Sequence, residues 1–85
     1  MKTFFVTINE RSGEYEYTDT WLVEAENSEH ADEQIHQIML TYRGDADFDP
    51  DRQEYEYAEH ISYVHSVREV PPEHAQVLKE YLVTL

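Results

Sequence analysis

Cysteine is absent from this sequence. Disulfides, thiolate metal sites and cysteine nucleophiles are thereby excluded, and an intracellular setting is the natural expectation. Glycine occurs only twice, too seldom for a glycine-rich phosphate loop. Basic residues are scarce: six Lys and Arg stand against nineteen Asp and Glu, for a formal charge of −13. The cations that neutralise phosphates are missing, which argues against direct contact with nucleic acid or an anionic membrane. Long apolar runs are missing too. Met1-Lys2-Thr3-Phe4-Phe5-Val6 is broken by Thr7 and Asn9, far short of the about 20 residues of a membrane helix and of a signal-peptide core. A cytoplasmic protein is expected. Its 85 residues fit a single domain, 1–85.

What the chain does have is enough apolar material for a core. The apolar fraction is 40%, with seven tyrosines, three phenylalanines and a tryptophan; a disordered acidic tail would be poor in aromatics. Lys2 to Ile8 alternates, with Phe4, Val6 and Ile8 on one face, and reads as a strand. Glu10-Arg11-Ser12-Gly13 reads as a turn. Glu14 to Ala25 is rich in aromatics, Thr and Val and reads as a second strand, completing a hairpin. Tyr15, Tyr17, Trp21 and Val23 share one face of it; Glu14, Glu16, Thr18, Thr20 and Glu24 share the other.

Asn27 or Ser28 caps a helix, with Glu29, Asp32 and Glu33 in its first turns, where the dipole favours negative charge. Ala31, Ile35, Ile38, Met39 and Tyr42 form its apolar stripe, and Arg43-Gly44 ends it. After a polar loop, Asp45 to Asp51, a third strand is expected from about Glu54 to Val70, long enough to need a bulge or bend. Pro71-Pro72 stops it and opens a short C-terminal helix, with His74, Leu78, Tyr81, Leu82 and Leu85 on its apolar face. The expected fold is α+β, in ββαβα order: a three-stranded antiparallel sheet, one main helix on one sheet face, and a short terminal helix. Strand order 2-1-3 is preferred over a parallel crossover. The expected core is Phe4, Val6, Ile8, Trp21, Val23, Ile35, Ile38, Met39, Ile61, Tyr63, Val67, Leu78 and Leu82.

Chemical motifs are weak. His30 and His36 are six apart and miss the i, i+4 spacing of helical zinc sites. His60 and His65 differ by an odd number and point to opposite faces of a regular strand unless a bulge intervenes. His74 stands alone. Asp45, Asp47, Asp49 and Glu56 match several ligand positions of a calcium loop, but Pro50 takes the place of the required glycine and Arg52 that of an apolar residue. Carboxylate pairs carry no information in so acidic a chain, and no serine lies in a nucleophile-elbow context. No catalytic residue, metal or cofactor is expected.

The acidic surface remains. Glu14, Glu16 and Glu24 lie along one strand face, spaced about 6.6–6.8 Å per pair of residues. Glu54 and Glu56 are expected to extend that row from the third strand, and Glu29, Asp32 and Glu33 form a second patch on the helix. These eight are the expected partner-binding residues. Like charges this dense oppose folding unless a basic partner compensates. Adaptation to a salt-rich cytoplasm is a competing explanation of the charge.

Small size, strong acidity, absence of cysteine and a ββαβ-type core resemble the phage-encoded anti-CRISPR and anti-restriction proteins that mimic DNA. The resemblance spans the chain in composition and architecture and includes no sequence motif, so it assigns no residue a role. It implies a basic partner, the nucleic-acid channel of a CRISPR effector or restriction enzyme, and inhibition by steric and electrostatic competition. The alternative reading is a small regulatory or scaffold module that binds a protein surface without imitating nucleic acid.

Overall fold

The computed structural model describes residues 1–41 and 44–85. Seven elements follow in order: β1 (Lys2–Ser12), β2 (Tyr15–Ala25), α1 (Ser28–Thr41), β3 (Asp47–Asp49), β4 (Glu54–Tyr57), β5 (His60–Val70) and α2 (Pro72–Leu78). The strands form one antiparallel sheet in the order β2-β1-β5-β4-β3. No described helix is long and apolar enough to cross a membrane.

The fold is α+β, but the expected three-stranded sheet and ββαβα order are wrong: there are five strands. Two strands escaped the sequence reading. The segment 54–70 is two strands joined by a tight turn at Ala58 and Glu59. Ala58 has φ +53°, a left-handed conformation that alanine rarely supplies, so none of the usual Gly, Asn or Pro punctuation marks the turn. β3 lies inside the segment read as a polar loop, because Asp47 and Asp49 are poor strand formers. It pairs with β4, Asp47 opposite Glu56 and Asp49 opposite Glu54. Asp49 Oδ1 accepts the N–H groups of Asp51 and Arg52 at 3.0 and 3.3 Å, fixing the connection between the two.

The first hairpin is also tighter than its sequence implies. Glu10, Arg11 and Ser12 belong to β1 rather than to a turn, leaving Gly13 and Glu14 as a two-residue loop. Gly13 has φ +63°, which suits the turn types that match strand twist.

α1 lies on one sheet face. Asn27 is its N-cap: Oδ1 accepts the His30 N–H at 2.9 Å. Ala31, Ile35 and Met39 are buried in a core with Phe4, Val6, Ile8, Trp21, Val23, Ala25 and Tyr55. Ile38 is only half-buried at its margin. Tyr42 and Arg43, read as part of the helix stripe and its end, lie outside the described residues. Gly44 has φ +108°, and a Cβ there would come within 3.0 Å of the Tyr57 ring. Both the backbone and the close aromatic neighbour demand glycine.

Two expected core residues, Ile61 and Tyr63, sit elsewhere for one geometric reason. The β1–β5 register shifts between Thr7 and Ile8: Thr7 faces Ser66, but Ile8 faces Val64. The extra residue, His65, makes a β-bulge, and side chains before it exchange faces. Val67 stays with the core, whereas Ile61 and Tyr63 turn to the opposite face, where Tyr63 is 42% exposed. His60, Ser62 and Val64 take the inner positions instead. At the C-terminus Ala75 is the buried residue of α2, Leu78 and Leu82 are half-buried, and Tyr81 is 78% exposed. The helix ends at Leu78, so an apolar face extrapolated through Leu85 has no helix to carry it.

Candidate binding face

Strand alternation divides the sheet residues between two faces. The helix face carries the core. The other face carries Thr3, Phe5, Thr7, Asn9 and Arg11 of β1, with Glu24, Leu22, Thr20, Thr18 and Glu16 opposite them on β2. α2 and the C-terminal residues cover one end of this second face, where Thr3, Leu22 and Ala75 are buried. The end nearest the β1–β2 turn is bare. There a groove of about 330 Å³ runs over the strands, lined by Asn9, Arg11, Glu16, Thr18, Glu54, Ile61 and Tyr63 among others.

The register explains why these side chains meet. Glu16 lies opposite Arg11, Arg11 opposite Ile61, Ile61 opposite Glu56, and Glu56 opposite Asp47. This single row crosses all five strands; at about 4.8 Å per strand it spans about 19 Å. Its ends are acidic and its middle holds one cation and one apolar side chain. Beside it runs a polar network. Asn9 Nδ2 donates to the Tyr63 hydroxyl at 2.9 Å and lies 3.4 Å from His65 Nδ1, while the Thr18 hydroxyl donates to Asn9 Oδ1 at 3.1 Å. Three strands are thus tied together across the floor of the groove.

The eight carboxylates expected to bind a partner do not form one surface. Glu16, Glu54 and Glu56 share the bare end of the open face, and Asp47 joins them. Two strands, β1 and β5, separate Glu16 on β2 from Glu54 and Glu56 on β4, where the expected order 2-1-3 puts one strand between them. Glu14 is in the hairpin loop, exposed. Glu24 lies on the open face at the other end, ion-paired with Lys79. That hydrogen bond, and then the ammonium charge, hold its carboxyl below the usual glutamate range. Glu29, Asp32 and Glu33 are exposed on α1, across the sheet from the groove.

The sequence reading missed Arg11, Ile61, Tyr63 and Asn9. Local sequence signals put Arg11 in a turn and Ile61 and Tyr63 in the core. The bulge at His65 places Ile61 and Tyr63 on the open face; the length of the 54–70 segment implies a bulge or bend, but no residue in it marks the position.

Behind the groove, on the helix side, a buried acid is held by polar neighbours. Glu10 is 3% exposed. Its Oε1 lies 3.1 Å from His60 Nε2 and accepts the Ser62 hydroxyl at 3.4 Å. Ser62 is therefore a buried structural donor. His36 Nδ1 lies 2.6 Å from the Tyr55 hydroxyl, with Phe48 packed edge-on at 4.9 Å. Burial raises the Tyr55 phenol above the usual tyrosine value, so it stays protonated at neutral pH, and the direction of its hydrogen bond with His36 follows the imidazole tautomer. His30 is engaged at the start of α1, where its Nδ1 accepts the Glu26 N–H at 3.2 Å. His65 belongs to the Asn9 network, on the opposite sheet face from His60. Asp47 and Asp49 sit on a strand, not in a calcium-binding loop. Among the described residues no three His, Asp or Glu side chains converge to hold a metal ion.

No protein-family model matches this chain, and neither a curated protein nor a solved structure does. Function is therefore read from the site itself.

Proposed function

We propose that the chain is a non-enzymatic, cytoplasmic acidic inhibitor. It presents the bare end of its open sheet face to the basic, nucleic-acid-binding groove of an effector such as a CRISPR nuclease or a restriction enzyme. The observation that carries this reading is the placement of Glu16, Glu54, Glu56 and Asp47 on one face. None of the four makes an ion pair among the described residues, in a chain of net charge −13. Asp47 and Glu56 are about 4.8 Å apart across strands and Glu54 and Glu56 about 6.8 Å apart along one, while Glu16 stands three strands away, about 14 Å from Glu56; together they make a negative surface on both sides of Arg11 and Ile61. Nucleic acid offers a basic groove a comparable one, a phosphate per about 3.4 Å of axis on each strand. Inhibition then needs no chemistry: occupancy excludes the nucleic acid, and long-range attraction speeds the encounter.

One feature favours the alternative, a scaffold or regulatory module with no mimicry. Arg11, Ile61 and Tyr63 line the same groove, and a phosphate surrogate has no need of them.

The test begins with the basic protein recovered by this chain from host lysate. In a gel shift, nucleic acid and this chain should displace one another from it. Reversing Glu16, Glu54 and Glu56 to Lys should slow association and weaken binding, increasingly so at low salt. Reversing Glu29, Asp32 and Glu33 to Lys should have a much smaller effect. A target that binds nucleic acid and this chain at once, neither weakening the other, would exclude mimicry and leave the scaffold reading.

A further inference from the structure

β2 lies at the edge of the sheet, and part of that edge is already covered by the chain's own C-terminus. The Leu22 N–H donates to the Val83 carbonyl at 2.9 Å, and the Leu85 N–H donates to the Leu22 carbonyl at 2.8 Å. Thr84 thereby pairs with Leu22 in parallel. Both backbone groups of Leu22 therefore point away from β1. The β1–β2 register runs unbroken from Lys2 opposite Ala25 to Ser12 opposite Tyr15. In an antiparallel ladder, alternate residues turn both backbone groups toward the partner strand or both away from it. Thr20, Thr18 and Glu16 thus share the outward direction of Leu22. Among the described residues, their N–H and C=O groups have no backbone partner.

The two edges of the sheet differ. β3, at the far edge, is three residues long with an aspartate at each end, the short charged form that discourages pairing. β2 has eleven residues, and among the described residues only Leu22 is covered by a bridge outside the sheet. A run of outward backbone groups on such an edge is a template for an added strand, and the docked C-terminus shows that this edge takes one.

We infer that the Glu16–Thr20 edge of β2 receives an extended basic segment of a partner protein as a further strand of the sheet. Charge selects the occupant. A second copy carries the same −13 and would bring its own acidic edge against Glu14 and Glu16. A segment of alternating character fits both faces. Its basic side chains fall beside Glu16 on the open face, next to the groove, and its apolar side chains fall on the helix face beside Tyr15, which is 79% exposed. The inference rests on the proposed function only for the sign of the partner's charge. The main-chain pairing follows from β2 alone.

The probe is a blocked peptide of alternating lysine and valine, with a control of identical side chains N-methylated at every second residue. The full chain is followed by amide hydrogen exchange and by backbone NMR shifts. The expected result is protection of the Glu16, Thr18 and Thr20 amides by the first peptide. The N-methylated peptide should bind roughly tenfold weaker or worse, since each backbone bond contributes about 0.5–1.5 kcal/mol and tenfold is about 1.4. Thr18→Pro should bind the first peptide weakly yet stay folded, because its N–H takes no part in the β1 ladder; Thr20→Pro provides the same test should Thr18→Pro fail to fold. Equal binding of both peptides, or protection elsewhere, would reduce the contact to charge and overturn the added strand while leaving the proposed function standing. Self-association that protects the same amides without peptide would assign the edge to a second copy and overturn the inference as well. Protection of this edge by a target that still holds its nucleic acid would do the reverse: mimicry would fail and the added strand would stand.

Discussion

Ile35 and Ile38 lie about 60° apart around α1, at 3.6 residues per turn, and substitution of each by alanine tests how the helix is rolled on the sheet. Ile35 is 2% exposed, in the core with Val6, Trp21, Val23 and Met39. Ile35→Ala removes carbons whose transfer from water contributes about 0.8 kcal/mol per methylene, and the cavity left behind brings the usual cost to about 2–5 kcal/mol. We take about 3 kcal/mol. In a domain of this size each kcal/mol lowers Tm by about 4–8 °C, so Tm should fall by about 12–24 °C. Ile38 is half-buried and lines a surface groove with Met1 and Leu85. Water can enter the space it vacates, so Ile38→Ala should cost about 1 kcal/mol, the transfer of its remaining buried area. Paired thermal melts by circular dichroism, with urea unfolding as a check, measure both. If Ile38→Ala proves the costlier, or the two are equal, α1 sits on the sheet by a different face.

Ala58 holds φ +53°, a conformation that costs an L-residue about 1–2 kcal/mol. Ala58→Gly should therefore stabilise the β4–β5 turn, by up to about 1 kcal/mol after the added entropy of the unfolded chain; a lower urea midpoint would contradict this. Lys79 depresses the Glu24 carboxyl, so the pair contributes stability that is present above the unfolded glutamate pKa and lost as pH falls through the folded one. In Lys79→Ala the Glu24 titration, followed by carbon-13 NMR, should move up, and the matching acid-side stability slope should disappear; an unchanged Glu24 curve would mean the pair does not persist in solution. Tyr55, raised by burial, shows the opposite sign: the unfolded chain deprotonates first, so its contribution is full below the unfolded pKa and is lost as pH rises through the folded value. Tyrosinate absorbance should contain a late component that Tyr55→Phe removes, with about 1 kcal/mol lost along with the hydrogen bond to His36.

Three things were decided by the sequence alone: the charge, the first hairpin as a pairing and the position of α1. Alternation of Phe4, Val6 and Ile8 against Trp21 and Val23 marks a half-buried sheet, because side chains on a strand change face at every residue. Asn27 followed by Ala31, Ile35 and Met39 marks a capped amphipathic helix, because both signals are local. The rest depended on tertiary structure. β3 exists because β4 offers it a partner, not because Asp47-Phe48-Asp49 prefers to be extended. The β4–β5 turn forces Ala58 into a conformation it does not favour, and pairing on both sides supplies the compensation. The bulge at His65 then exchanges the faces of everything before it in β5, lifting Tyr63 and Ile61 out of the expected core and into the groove. The acidic residues were legible one by one. Which of them share a surface was not, since Glu16 and Glu56 are joined only through the register of the strands between them, and register is set by distant contacts rather than by neighbours in the chain.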